Sequence, residues 1–254
     1  MGCAAALSAA AHTHLEIRLR DGRLALELYD FEAGSFDPAT TPILVGPPAR
    51  RANPPALTNL LGDAPAVWIL PQNEDPRLVF LGIGAESIPR SALTGGNLML
   101  ELTAVEGPGG FVVFQTLPFG EPKLMFSSRD SLPDVLALRA GPGTHVHFTW
   151  AFTAPGTYRA TSPARGPLAA TGAPADSPET VFTFVVPPPA APRLAINHHS
   201  LLLPAGLYGP VIVETAAEPT GWAEVTTLQA DGRPLALPWP ADGEPFRAFR
   251  LRLP

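Results

Sequence analysis

The sequence predicts an all-β protein: an immunoglobulin-like or related antiparallel β-sandwich followed by a small second β domain. Three observations predict it. Proline (32) and glycine (23) are dense in a chain of 254 residues, and proline at that frequency breaks helix interiors. Short runs rich in Val, Ile, Phe and Thr recur along the chain, separated by turn residues. Apolar residues still make up 46%, enough for a packed core, while charged residues make up only 16%.

The first element is the clearest. HTHLEIRLRDGRLALELYDF (12–31) is two alternating runs around Asp21-Gly22, a favoured two-residue hairpin turn. That turn pairs Leu19 with Leu24, Ile17 with Leu26 and Leu15 with Leu28, so the six leucine and isoleucine side chains share one face. His14, Glu16, Arg18, Arg20, Arg23, Glu27 and Tyr29 take the other face, with His14 across from Tyr29.

Further strands are expected at Ala66–Leu70, Leu78–Ile83, Asn97–Val105, Gly110–Thr116, Lys123–Ser127, Thr144–Thr153, Thr157–Thr161 and Thr180–Val186. Turns at Pro71-Gln72-Asn73, Gly107-Pro108-Gly109, Gly141-Pro142-Gly143 and Pro155-Gly156 divide them. Ser87–Leu93 is expected to form one short helix at most. Ser162–Pro178, rich in Ala, Pro and Gly and without periodicity, reads as a mobile surface loop.

Pro187–Pro192 (PPPAAP) favours extended polyproline geometry and reads as a linker between residues 12–186 and 193–254. The second piece again reads as β, with strands at Leu201–Leu203, Val211–Thr215, Ala223–Ala230 and Phe246–Leu253. Residues 1–11 (MGCAAALSAAA) read as the tail of an export leader, with Ala-x-Ala-like spacing before His12. Cys3, the single cysteine, would then be a remnant of a lipid-acceptor site or be removed. No disulfide framework follows from one cysteine.

Composition also excludes function classes. A net charge of −6 without a basic block lacks the footprint of nucleic-acid binding. No apolar run reaches the roughly 18 residues of a spanning helix. No GxSxG, GxGxxG, GxxxxGK or HExxH motif is present. Ser127, Ser128, Asp130 and Asp134 lie near His145 in sequence without an elbow to expose a nucleophile. Glu74, Asp75 and Glu86 read as solvated loop charges.

The six histidines carry the remaining chemistry, as three pairs. In THVHFTWAF, His145 and His147 point to one side of a strand while Val146, Phe148, Trp150 and Phe152 point to the core. An i, i+2 pair stands roughly 6.5–7 Å apart at the backbone, close enough for two imidazoles to hold one transition-metal ion. His12 and His14 form the same pattern on the first strand. His198-His199 are adjacent and point to opposite sides, so they are the weakest pair; His199 could close over a site from the second domain.

The runs THLEI, WILPQNEDPRLVFLGIG, VEGPGGFVVF and SRDSLPDVLALRAGPGTHVHFTWAFTAPGTY, ending in TVFTFVV, resemble the choice-of-anchor M domain of actinobacterial-type surface-anchored repeat proteins. The resemblance covers about residues 12–186. It implies an exported or surface-associated domain, encoded in some members beside components of a metal-uptake ABC transporter. The family's recurring histidines match His14, His145 and His147; Trp150 and Pro155-Gly156 match as well. Tyr29 stands where the family often has a further histidine. No enzymatic activity is implied. VIVETAAEPTGWAEVTTLQADG and FRAFRLRLP resemble a C-terminal β module of verrucomicrobial exported proteins.

The expectation is therefore an exported (periplasmic, extracellular or cell-surface), non-enzymatic protein that binds zinc or copper through His14, His145 and His147. His12, Tyr29 and His199 are additional candidates. Its expected partners are a metal-uptake transporter or other surface proteins. Two alternatives stand beside it. A metal-free surface interaction or scaffold module predicts that the first strand and Thr144–Thr153 lie in different sheets or far apart. A copper histidine-brace oxidase requires cleavage that makes His12 the N-terminus.

Overall fold

A computed structural model describes residues 6–131, 134–189, 195–196, 200–216, 221–238 and 248–252. The chain is all-β and sandwich-type, with several mainly antiparallel sheets and no barrel. The opening hairpin forms as its alternation dictates: β1 (His12–Arg20) and β2 (Arg23–Asp30) pair with Leu19 opposite Leu24, Ile17 opposite Leu26 and Leu15 opposite Leu28. Asp21 (φ 49°) and Gly22 (φ 76°) both take positive φ, as a tight hairpin turn matching strand twist requires.

A short third strand, β3 (Gly34–Phe36), extends this sheet beyond β2. On the other side of β1 lies Phe80–Gly84, running parallel to it, and beyond that the edge strand His145–His147. A second five-stranded sheet runs Pro122–Ser127, Phe111–Thr116, Thr149–Phe152, Ala66–Leu70, Arg50–Ala52. Leu15, Ile17, Leu24 and Leu28 of the first sheet share one apolar cluster with Phe111, Trp150 and Phe152 of the second. Trp150 is enclosed, and its indole Nε1–H donates to the Leu81 carbonyl at 3.2 Å, tying the two sheets together.

Three expectations are corrected. Thr144–Thr153 is two strands, divided at Phe148: His145–His147 joins the sheet of β1, and Thr149–Phe152 joins the other. Such sheet switching at a corner is ordinary in sandwiches. Asn97–Val105 likewise splits at Thr103 into Asn97–Leu102 and Ala104–Glu106, in different sheets.

Ser162–Pro178 is anchored to the fold. Ala164 and Ala175 are fully buried, the Ala164 amide donates to Ser177 Oγ at 2.8 Å, and the Leu24 amide donates to the Ala175 carbonyl at 2.6 Å. Its tip, residues 169–174, is exposed, as are Pro167 and Pro178. Of Ser87–Leu93, Arg90–Ala92 is a 3-10 turn. Asp134–Arg139 and Leu235–Pro238 are strands that the sequence did not announce.

Leu7 is buried against the core; its amide donates to Pro42 and its carbonyl accepts from Leu44. Cleavage after Ala11 would remove these contacts. Leu203, Leu207, Val211 and Ala230 form a separate small core. No helix among the described residues is long and apolar enough to cross a membrane.

Candidate metal centre

The candidate centre lies on the face of the first sheet opposite the leucines. β1 places His12, His14 and Glu16 there at alternate positions. Its parallel neighbour pairs Phe80 with His12, Gly82 with His14 and Gly84 with Glu16. The edge strand then sets His147 opposite Gly82 and His145 opposite Gly84.

His14 and His147 are thus two strands apart, roughly 10 Å at the backbone, yet their ring centroids are 5.2 Å apart. The glycine between them makes this possible. A β-carbon at residue 82 would stand 2.8 Å from His14 Cδ2, 3.1 Å from His14 Nε2 and 3.1 Å from His147 Cε1. Glycine inside a strand commonly marks such a close approach.

Three imidazoles converge. One ring nitrogen from each of His12, His14 and His147 lies within 4.8 Å of the other two. His12 Nε2 and His147 Nε2 are 3.1 Å apart. Two nitrogens bound tetrahedrally to one ion at about 2.0–2.1 Å stand roughly 3.3–3.4 Å apart, so this pair already spans a ligand edge. The trio can hold a metal ion. Of Thr144–Thr153, the histidine-bearing part His145–His147 shares the sheet of β1, while Thr149–Phe152 lies in the other sheet.

The surroundings keep the imidazoles neutral. His14 is completely buried, and burial, followed by the neighbouring charges of His147, His145 and His12, pushes its pKa down to about 3. Burial and then His12 and His145 bring His147 down to about 4. His12 is also lowered, first by burial and then by His145, with Glu74 and Asp30 opposing. Neutral imidazoles present the lone pairs that metals require. Among the described residues, neither ring nitrogen of His14 has a hydrogen-bond partner. Unpaired buried polar atoms cost roughly 1–3 kcal/mol each, a deficit that coordination relieves.

Aromatic rings wall the trio. Phe80 stacks on His147 with centroids 3.5 Å apart, and Phe31 packs 4.5 Å from His12 and 4.8 Å from His14. Glu16 is buried beside His14, and burial raises its pKa to about 7, against the opposing pull of Arg18. Glu27, farther along the face, is held by Arg18, Arg20 and Ser35.

The other candidates stand apart from the convergence. The His145 ring stacks on His14 at 5.0 Å, and its Nδ1 pairs with Glu86 Oε1 at 3.1 Å. Glu86, read from sequence as a solvated charge, also accepts from the Gly143 amide at 3.1 Å. Tyr29 sits across β2 from His14, against Phe31 and under the Arg18 guanidinium. His198 and His199 lie outside the described residues.

Sequence reasoning missed Gly82, Gly84, Phe31 and Phe80. The signal for the glycines was present: FLGIG carries two of them, two positions apart, on one face of a strand. No protein-family model matches the chain, and no curated protein matches it.

Proposed function

We propose that the protein binds one divalent transition-metal ion, zinc or copper, through His12, His14 and His147, as an exported or surface-associated protein without an enzymatic step. The observation that carries this reading is the convergence of three neutral imidazoles whose buried ring nitrogens have few other partners. An all-nitrogen, borderline-soft ligand set suits zinc and copper and is unsuited to magnesium or calcium. Three ligands leave a position open for water or for a ligand from another protein, as a carrier requires. The resemblance of residues 12–186 to choice-of-anchor M domains supports export and a metal-uptake transporter as partner.

Elemental analysis of protein purified without a histidine tag, followed by calorimetric titration with Zn²⁺ and Cu²⁺, tests the proposal. One ion per chain is expected, and its loss on replacing His147. Failure of the wild-type chain to take up either ion overturns it.

A further inference from the structure

We propose that Glu16 is a positioning residue for this centre: its carboxylate accepts the Nδ1–H of His14 and thereby presents the His14 Nε2 lone pair to His12 and His147. The inference rests on the metal-binding reading and assigns the tautomer and support of its buried ligand. A neutral imidazole that coordinates through one nitrogen carries its proton on the other, and a buried N–H needs an acceptor.

The ring's direction is set by its two glycine neighbours. A β-carbon on Gly82 would meet Nε2 at 3.1 Å, and one on Gly84 would meet Nδ1 at 3.0 Å. The ring therefore lies along Phe80–Gly84, with Nε2 toward His147 and Nδ1 toward the Glu16 row. Glu16 Oε2 stands 3.9 Å from Nδ1, and no group among the described residues hydrogen-bonds that nitrogen. A shift of about 1 Å closes the pair to hydrogen-bonding distance.

Gly84 provides the space for this. A β-carbon there would run into Glu16 Oε2. The two glycines thus serve different pairings: Gly82 lets His14 reach His147, and Gly84 lets Glu16 reach His14. Arg18, the cation next along the strand, is engaged by Glu27, and the Ser87 backbone also hydrogen-bonds the Glu16 carboxylate, whose Oε2 faces His14.

The test uses the full, untagged chain and its Glu16→Ala and Glu16→Gln variants. Zn²⁺ affinity is measured by competition with a chromophoric chelator, and the protonated nitrogen of His14 by long-range ¹⁵N–¹H NMR. Loss of an outer partner is expected to weaken affinity about 10–100-fold in Glu16→Ala. Glu16→Gln, which retains a carbonyl acceptor and the side-chain shape, is expected to lose less. His14 in the loaded wild type is expected to carry its proton on Nδ1. Equal affinity in wild type and both variants, or protonation at Nε2, overturns the assignment.

If the wild type takes up no Zn²⁺, the metal reading fails by itself. The positioning claim is then judged on the metal-free chain: Nδ1–H in wild type and a changed tautomer in Glu16→Ala support it, and an unchanged one overturns it. Should Glu16→Ala fail to fold, Glu16→Leu, which also lacks an acceptor, takes its place.

Discussion

His12 Nε2 and His147 Nε2 stand 3.1 Å apart although 135 positions separate them in the chain. In the metal-free protein one imidazole donates to the other. An ion held by both residues would take both lone pairs and so replace that hydrogen bond.

Replacement of His147 by Gln removes one of the three converging nitrogens and keeps a side chain beside Phe80. Affinity for Zn²⁺ is expected to fall on the order of 100-fold or more, beyond the range for outer partners. Calorimetric titration of the two proteins side by side measures it.

Gly82→Ala puts a methyl group within 2.8 Å of His14 Cδ2 and 3.1 Å of His147 Cε1. Overpacking of this kind costs about 1–3 kcal/mol and here also parts two ligands. Lower urea midpoint together with lost Zn²⁺ binding is expected. Gly221→Ala, where a β-carbon meets nothing within 4 Å, serves as the control and should change neither.

Acidification acts through the buried imidazoles. His14 and His147 titrate at about 3 and 4 in the folded chain and near 6.5 unfolded. Over that interval the unfolded state binds more protons, so their contribution to stability is complete above about pH 6.5 and is lost as pH falls toward 4 and then 3. Glu16, raised to about 7 by burial, works in the opposite sense and destabilises the fold as pH rises from 4.5 to 7. The two slopes partly cancel near pH 5–6, and below pH 4.5 only the histidine slope remains. Thermal melts of the metal-free protein should therefore show a shallow dependence near pH 6 and a steep fall below pH 4.5, flattened in His14→Leu.

Trp150→Phe keeps the ring in the core but removes the donor to the Leu81 carbonyl. A loss of about 1–3 kcal/mol is expected from the unpaired carbonyl and the missing contacts. Chemical denaturation measures it, and metal affinity should change far less than stability.

Much of the first sheet was legible because local signals agreed. Asp21-Gly22 fixed the turn, and the alternating leucines fixed the register and the buried face. The break at Phe148 was illegible because THVHFTWAF alternates without interruption; what divides it is which strands it meets, Phe80–Gly84 at one end and Phe111–Thr116 with Ala66–Leu70 at the other.

The site was partly legible for the same reason. The two HxH pairs announced the face, but which imidazoles converge depends on a parallel pairing of β1 with Phe80–Gly84 that no turn specifies. It depends also on two residues that contribute space instead of chemistry.

The separation of His12 from His147 has a mechanical consequence. A metal ion shared by β1 and the edge strand fastens the chain into a ring of well over a hundred residues, in a sequence whose single cysteine cannot form an internal disulfide. For a covalent link, closing a loop of that length in the unfolded chain is worth about 5 kcal/mol in the chain-entropy model. The centre would act as a removable staple, tightening the sandwich when the ion arrives and releasing it when the ion is handed on.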